Sequence, residues 1–230
     1  MVTQGSARLH GVSWHLAAFA LLIASAPPAL AQNTVLNPNF AADLAPWALF
    51  VSAPPDPIGS GNATWTAAQD AGNAIGVSGA AQVGLDATPT GAHAAAGIRQ
   101  CVAFAQPTNV MQANYGARFK IPASDATDGT VGATVEIRFF IDAACTQFIP
   151  GAGGMQGRAI VANVPDDTYW YTAGDPAFQL PVNALAQSAE VRASLRKLGT
   201  SNQPYLAYFD DIFLSLNGSV PVTLQGFDVD

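Results

Sequence analysis

Apolar and polar residues alternate with a period of two along much of the chain, as in β-strands that place one face on a core. In the strongest run, residues 131–141, Val135, Ile137 and Phe139 lie on one face, and Glu136 and Arg138 lie on the other. Further runs recur between turn-forming residues, at 47–51, 80–85, 98–104, 114–121, 157–164, 168–172, 178–181, 190–196, 203–216 and 220–227. The pattern predicts an all-β fold, an antiparallel β-sandwich or jelly roll of about eight to ten strands.

The run at 203–216 is unusual because two adjacent carboxylates, Asp210 and Asp211, interrupt it. Strict alternation divides this strand into two faces, with Phe209, Asp211 and Phe213 on one and Asp210, Ile212 and Leu214 on the other. Whichever face is the core, one carboxylate points along it. A buried charge of this kind needs a partner.

The first 31 residues have the organisation of a cleaved signal peptide. Arg8 lies in a short polar region, residues 16–24 are apolar, and Ala29-Leu30-Ala31 is a small-x-small cleavage pattern. The apolar stretch is shorter than the ~20 residues that a transmembrane helix needs. We therefore expect a secreted protein, periplasmic or extracellular, with a single jelly-roll domain at 32–230 and no membrane span after cleavage.

The remaining chain is acidic, with 8 basic and 16 acidic residues after Arg8 is removed, and its charges are scattered. Binding to nucleic acid or to anionic membranes needs a basic surface that displaces counterions. We therefore expect neither as a partner.

The two cysteines, Cys101 and Cys145, both follow the signal peptide. In an oxidising compartment such a pair most simply forms one disulfide. The alternatives are a metal site with two thiolates and a catalytic cysteine, each of which needs further groups. His93 is the only histidine after residue 31, and it lies in a loop of small residues.

Catalytic motifs are scarce. Glu136 and Glu190 are the only glutamates, so a glycosidase pair would have to recruit scattered aspartates. A Ser-His-Asp arrangement would depend on His93, and neither a Gly-x-Ser-x-Gly elbow nor a phosphate-binding loop is present. We expect no enzyme activity.

Sugar recognition needs polar groups for the hydroxyls and an aromatic ring for the apolar face of a pyranose. Outward residues of the predicted strands supply both kinds, and the candidates are Arg118, Lys120, Glu136, Arg138 and Phe140, with Tyr169 and Tyr171, or Trp170 if the strand has the opposite parity. The alternative is a solvated face with weak cross-strand ion pairs.

Three stretches together resemble a known family. They are Leu36-Asn37-Pro38-Asn39-Phe40 with Leu44 and Trp47, Tyr169-Trp170-Tyr171 with Phe178 and Pro181, and 191–195 with Ala207-Tyr208-Phe209-Asp210-Asp211-Ile212. This pattern is similar to the jelly-roll carbohydrate-binding modules of the galactose-binding-like superfamily. The cysteine-bearing strands resemble a disulfide-containing variant from secreted bacterial proteins.

The resemblance implies a non-catalytic module that binds a polysaccharide or a cell-surface glycan. It also implies a structural Ca²⁺ at Asp210, since hard cations prefer oxygen ligands. Family members often carry an acidic partner just after the opening motif, but this chain has Ala41 there, which leaves Asp43 as the candidate. Alternatively, Asp210 and Asp211 simply accept N–H groups of a loop. A different functional class, a surface or matrix interaction protein without sugar affinity, would use the same sandwich.

Overall fold

The computed structural model describes residues 33–122, 129–149, 156–162 and 169–216. The predicted signal peptide at 1–31 and the predicted edge strand at 220–227 lie outside these residues. The described residues form eight strands: β1 Ala48–Val51, β2 Gly61–Thr66, β3 Ala80–Leu85, β4 Ala95–Lys120, β5 Val131–Phe140, β6 Gln156–Ala162, β7 Tyr171–Lys197 and β8 Tyr205–Leu216. Within these ranges, no helix has the length and apolar character needed to cross a membrane.

The two longest strands, β4 and β7, divide the structure into two layers. In one layer, the first half of β4 pairs with β1 on one side and with the second half of β7 on the other. The second half of β7 also pairs with β5, and β5 pairs with β6. The second half of β4 pairs with the first half of β7 and with β8, which continues through β3 to β2. Shifts in register between Ala103 and Tyr115 mark the bend from one layer to the other. The predicted all-β antiparallel sandwich is confirmed, and we call the β6-β5-β7-β4-β1 layer the first sheet and the β7-β4-β8-β3-β2 layer the second.

Alternate residues of both sheets fill the space between them. Val135, Ile137 and Phe139 of the first sheet and Phe119 and Phe209 of the second belong to one buried hydrophobic core. Their opposite neighbours therefore face outward on each sheet. This parity brings the charged residues of β5 and β7 together on the outer face of the first sheet.

Strand β8 does not keep the strict alternation that the sequence predicted. Phe209, Ile212 and Leu214 are all fully buried in the core. The pairing with β4 shifts register opposite Asp211, whose backbone adopts a left-handed φ of 46°. An extra residue in one strand is a β-bulge, and it returns Ile212 to the core side. The predicted division of faces was therefore wrong after Asp210.

Candidate ligand-binding face

Charged side chains form cross-strand rows on the outer face of the first sheet. β6, β5, β7 and β4 contribute the members of the central row, which pair in register in the order Arg158, Glu136, Arg192 and Arg99. The next row contains Arg138, Glu190 and Cys101. Arg196 lies further along β7. We call Arg99, Glu136, Arg138, Arg158, Glu190, Arg192 and Arg196 the arginine–glutamate cluster.

Glu136 is the centre of this cluster. Its side chain is buried, and Arg158 donates a hydrogen bond from Nε to its Oε1. Three further guanidinium groups, those of Arg138, Arg192 and Arg196, each lie 3.8 Å from one of its carboxylate oxygens. One carboxylate therefore balances charge from four arginines.

Glu190 forms a second contact point on the neighbouring row. Arg192 donates to its Oε1 from Nε at 2.6 Å, and the Nη2 of Arg192 lies 2.5 Å from the same oxygen as an ion pair. Arg99 donates to Oε2 from Nη1 at 3.4 Å. The Arg192 guanidinium also lies 4.4 Å from the centre of the Phe50 ring, a cation–π contact. Burial lowers the pKa of Arg192, and the negative charge of Glu190 opposes that shift. Arg192 thus connects the two glutamates and is held in place by a ring.

Aromatic side chains flank the cluster. Phe148 stacks on Phe140 with 4.8 Å between ring centres, and the Arg138 guanidinium lies 5.8 Å from the Phe148 ring centre. The predicted disulfide between Cys101 and Cys145 is confirmed, and it ties the loop that carries Phe148 to β4. On the opposite side, Phe50 covers Arg192.

The structure brings together only two of the six residues predicted to bind a ligand. Glu136 and Arg138 lie in the cluster. Arg118 lies in the second sheet, where its Nη1 donates to the Ala71 carbonyl at 2.7 Å. It was expected to share a face with Glu136 and Arg138, but β4 bends into the other layer before it reaches Arg118.

Of the three predicted aromatic residues, Tyr171 begins β7 in the second sheet, and Tyr169 and Trp170 lie just before it. The ring of Tyr171 lies 6.0 Å from that of Phe119 and packs against the core. Tyr169 is 64% exposed, and Trp170 is half-buried. They therefore lie apart from the arginine–glutamate cluster.

Most of the cluster was not predicted from the sequence. Glu190, Arg192 and Arg196 alternate with apolar residues along β7, so their outward orientation could have been inferred from parity alone. What the sequence does not contain is the pairing of β7 with β5, which places them beside Glu136.

Asp210, a predicted metal ligand, is almost completely buried in the second sheet. Its carboxylate oxygens accept hydrogen bonds from the backbone N–H groups of Ala71 and Asp211, each at 2.8 Å. Burial raises the pKa of Asp210 to about 7; the two hydrogen bonds oppose this shift, and the charges of Asp211 and Asp70 add to it. The other predicted ligand, Asp43, accepts from the N–H of Ala45 in an exposed turn. Across the described ranges, no three His, Cys, Asp or Glu side chains form a group that could hold a metal ion.

The fold defines a class: this chain is an all-β antiparallel sandwich of the jelly-roll kind, as the sequence predicted. It matches the arabinose-bound α-L-arabinofuranosidase MgGH51 at 12% identity and a TM-score of 0.51, covering 84% of this chain and 27% of that one. It also matches the enzymatically active domain of tailspike protein 4 from bacteriophage CBA120, at 16% identity and a TM-score of 0.50, covering 80% and 21%.

A third solved structure is the module TmCBM61 in complex with β-1,4-galactotriose, at 14% identity and a TM-score of 0.47, covering 80% of this chain and 99% of that one. At such identities these likenesses concern the fold alone. In the arabinofuranosidase and the tailspike protein, the chain spans only about a quarter of the length of the protein it matches. No protein-family model and no curated protein matches the chain.

Proposed function

We propose that this protein is a secreted, non-catalytic module that binds carbohydrate on the outer face of its first sheet. The observation that carries the proposal is the arginine–glutamate cluster with Phe148 at its side. Planar guanidinium groups donate pairs of hydrogen bonds to sugar oxygens, and an exposed ring packs against the apolar face of a pyranose. The likeness of the fold to a module bound to galactotriose supports the same function.

The cluster contains arginines whose side chains are exposed to solvent and buried residues that fix the positions of those arginines. The side chains of Arg99, Arg138 and Arg158 are 48%, 20% and 32% exposed, and Phe148 is 57% exposed. We assign them to ligand contact. The buried members of the cluster form the support that fixes their positions, which lowers the entropy lost on binding.

The two glutamates fit a supporting role better than a catalytic one. A glycosidase needs one carboxyl that gives a proton and another that attacks or activates water, both facing the sugar. Glu136 and Glu190 are 3% and 5% exposed and are surrounded by guanidinium groups. We therefore propose binding without hydrolysis.

A glycan array followed by calorimetry tests this proposal. We expect Phe148→Ala and Arg138→Ala each to weaken binding about tenfold, the equivalent of ~1.4 kcal/mol for a lost stacking or charge-assisted contact. Trp170→Ala is the matched control, because it removes an aromatic side chain that lies just before β7 and apart from the cluster, and it should bind like the wild type. If the wild type binds no glycan at millimolar concentration, the alternative of an interaction protein without sugar affinity takes its place.

The predicted Ca²⁺ at Asp210 and Asp43 stays a separate prediction. The contacts of Asp210 support the alternative role, in which it clamps the loop at Ala71 onto β8. A buried carboxylate without a cation is stabilised in its neutral form, whereas a bound cation would stabilise its charged form. Through Asp210, rising pH should therefore lower the free energy of unfolding, whereas bound Ca²⁺ should raise it.

Stability as a function of pH separates these roles. With a chelator present, we expect Asp210 to lower the free energy of unfolding as pH rises from about 4 to about 7, by up to about 4 kcal/mol. The sign follows because the folded chain keeps this proton up to a pKa of about 7, while the unfolded chain loses it near the ordinary value of 3.8.

Urea titrations at pH 4, 5.5, 7 and 8 measure the effect as the difference between the wild type and Asp210→Asn, which is neutral throughout. A difference that does not change with pH would contradict it. Stabilisation of the wild type by millimolar Ca²⁺ at pH 8, absent in Asp210→Asn, would support the cation; no effect of Ca²⁺ would exclude it.

A further inference from the structure

The arginine–glutamate cluster carries an excess of positive charge in an acidic protein. Five of the nine basic residues of the chain lie in it, although the net charge of the whole chain is −7. Against these five arginines stand Glu136, Glu190 and Asp56, which lies 3.0 Å from Arg196. The local balance is therefore positive where the overall balance is negative.

The arrangement also places like charges side by side. Arg99 and Arg192 are direct partners across the antiparallel pair of β4 and β7. Like charges in directly opposite positions are unfavourable unless an opposite charge lies close to both. Glu190 contacts both, but its Oε1 already accepts a hydrogen bond from the Nε of Arg192 and lies close to the Nη2 of the same guanidinium.

Several hydrogen-bond donors in and beside the cluster have no acceptor. The Nε groups of Arg138 and Arg196 and the hydroxyl of Thr134 are buried and have no hydrogen-bond partner among the described residues. The contacts of Arg138, Arg192 and Arg196 with Glu136, at 3.8 Å, are ion pairs too long to be hydrogen bonds. Arg196 is 3% exposed; its Nη2 donates to Asp56, but its Nε has no acceptor, so part of a buried guanidinium is left without a hydrogen bond.

The two observations point to the same kind of ligand. An oxyanion on the ligand supplies the missing negative charge and accepts hydrogen bonds from the solvent-exposed parts of Arg138 and Arg158, and a planar carboxylate matches the two parallel donors of an arginine. Resting on the proposed sugar-binding function, we infer that the preferred ligand is an acidic glycan, in which the carboxylate of a uronic acid residue contacts Arg138 and Arg158 while the sugar ring packs on Phe148.

The test compares sugars that differ only at this group. Calorimetry with oligogalactose against oligogalacturonate, and with oligoglucose against oligoglucuronate, measures the preference in 50 mM and 300 mM NaCl. A sulfated galactan tests the tetrahedral oxyanion. We expect at least one uronate to bind about tenfold to a hundredfold more tightly than its neutral counterpart, as for a charge-assisted contact, and salt to reduce the difference.

Variants locate the preference. Arg138→Gln and Arg158→Gln should each lower uronate affinity more than neutral-sugar affinity. Arg118→Gln is the matched control, because its side chain is 31% exposed on the other sheet, and it should leave both affinities unchanged. Far-ultraviolet circular dichroism and melting confirm that each variant is folded, and two separate arginines keep the test valid if one variant does not fold.

The outcomes are distinguishable. If neutral and acidic sugars bind equally well, the inference is overturned and the proposed function stands. If no sugar binds, the proposed function fails. If the sulfated galactan binds as tightly as the uronate, or Arg118→Gln loses the preference, the assignment of a carboxylate to Arg138 and Arg158 is overturned.

Discussion

Replacing Glu136 with alanine is expected to lower the free energy of unfolding by about 3–5 kcal/mol, because removing one partner of a buried ion pair leaves the other charges uncompensated. Glu136 is 3% exposed and contacts four guanidinium groups, those of Arg138, Arg158, Arg192 and Arg196. Few single substitutions in this fold remove so many charge contacts at once. Urea denaturation at pH 7 in low salt measures the loss.

The matched control is Asp56→Ala, which also removes a carboxylate that contacts an arginine of the cluster. The side chain of Asp56 is 35% exposed, so water can replace it beside Arg196, and we expect a loss of about 1 kcal/mol or less. Equal losses for the two variants would contradict the central role of Glu136. The same outcome would mean that water already solvates the arginines of the cluster.

The sequence predicted the fold well because side-chain direction in a regular strand depends only on parity. Val135, Ile137 and Phe139 were expected in the core and lie there. Parity failed at Asp211, where one extra residue with a left-handed φ changes the register. Aspartate adopts this conformation at little cost, but it also occupies many ordinary turns, so the residue type alone did not reveal the bulge.

The candidate face was only partly predictable, because it depends on which strands are neighbours. Glu136 and Arg138 lie on one strand, so their common orientation follows from the sequence. Their proximity to Arg192 requires the pairing of β5 with the second half of β7, a contact between distant parts of the chain. Arg118 was misplaced for the related reason that a single strand, β4, serves both sheets.

The loop that carries Phe148 is held by its own hydrogen bonds as well as by the disulfide. The Asp142 carboxylate accepts hydrogen bonds from the backbone N–H of Gln147 at 2.9 Å and from the Thr146 hydroxyl at 2.7 Å, and this hydroxyl contact lowers the pKa of Asp142. The N–H of Ile141 donates to the carbonyl of Gln147 at 3.0 Å. The loop therefore closes on itself before the disulfide is considered.

Replacing both cysteines with alanine should for this reason destabilise the protein far more than it weakens ligand binding. Cys101 and Cys145 are 44 positions apart, and closing a loop of that size stabilises the folded state by about 4 kcal/mol through the entropy of the unfolded chain. For a domain of this size that is a fall in Tm of about 10 °C. The local hydrogen bonds of the loop and the stacking of Phe148 on Phe140 are retained, so the affinity for the glycan should fall less than in Phe148→Ala.

Calorimetric melting and glycan titration of the Cys101→Ala/Cys145→Ala variant measure the two effects separately. Reduced wild-type protein is the control, because it breaks the same bond without changing either residue, and it should reproduce both results. An unchanged Tm would contradict the stabilising role of the disulfide. A loss of affinity as large as that of Phe148→Ala would mean that the disulfide, and not the hydrogen bonds of Asp142, positions the ring beside the arginines.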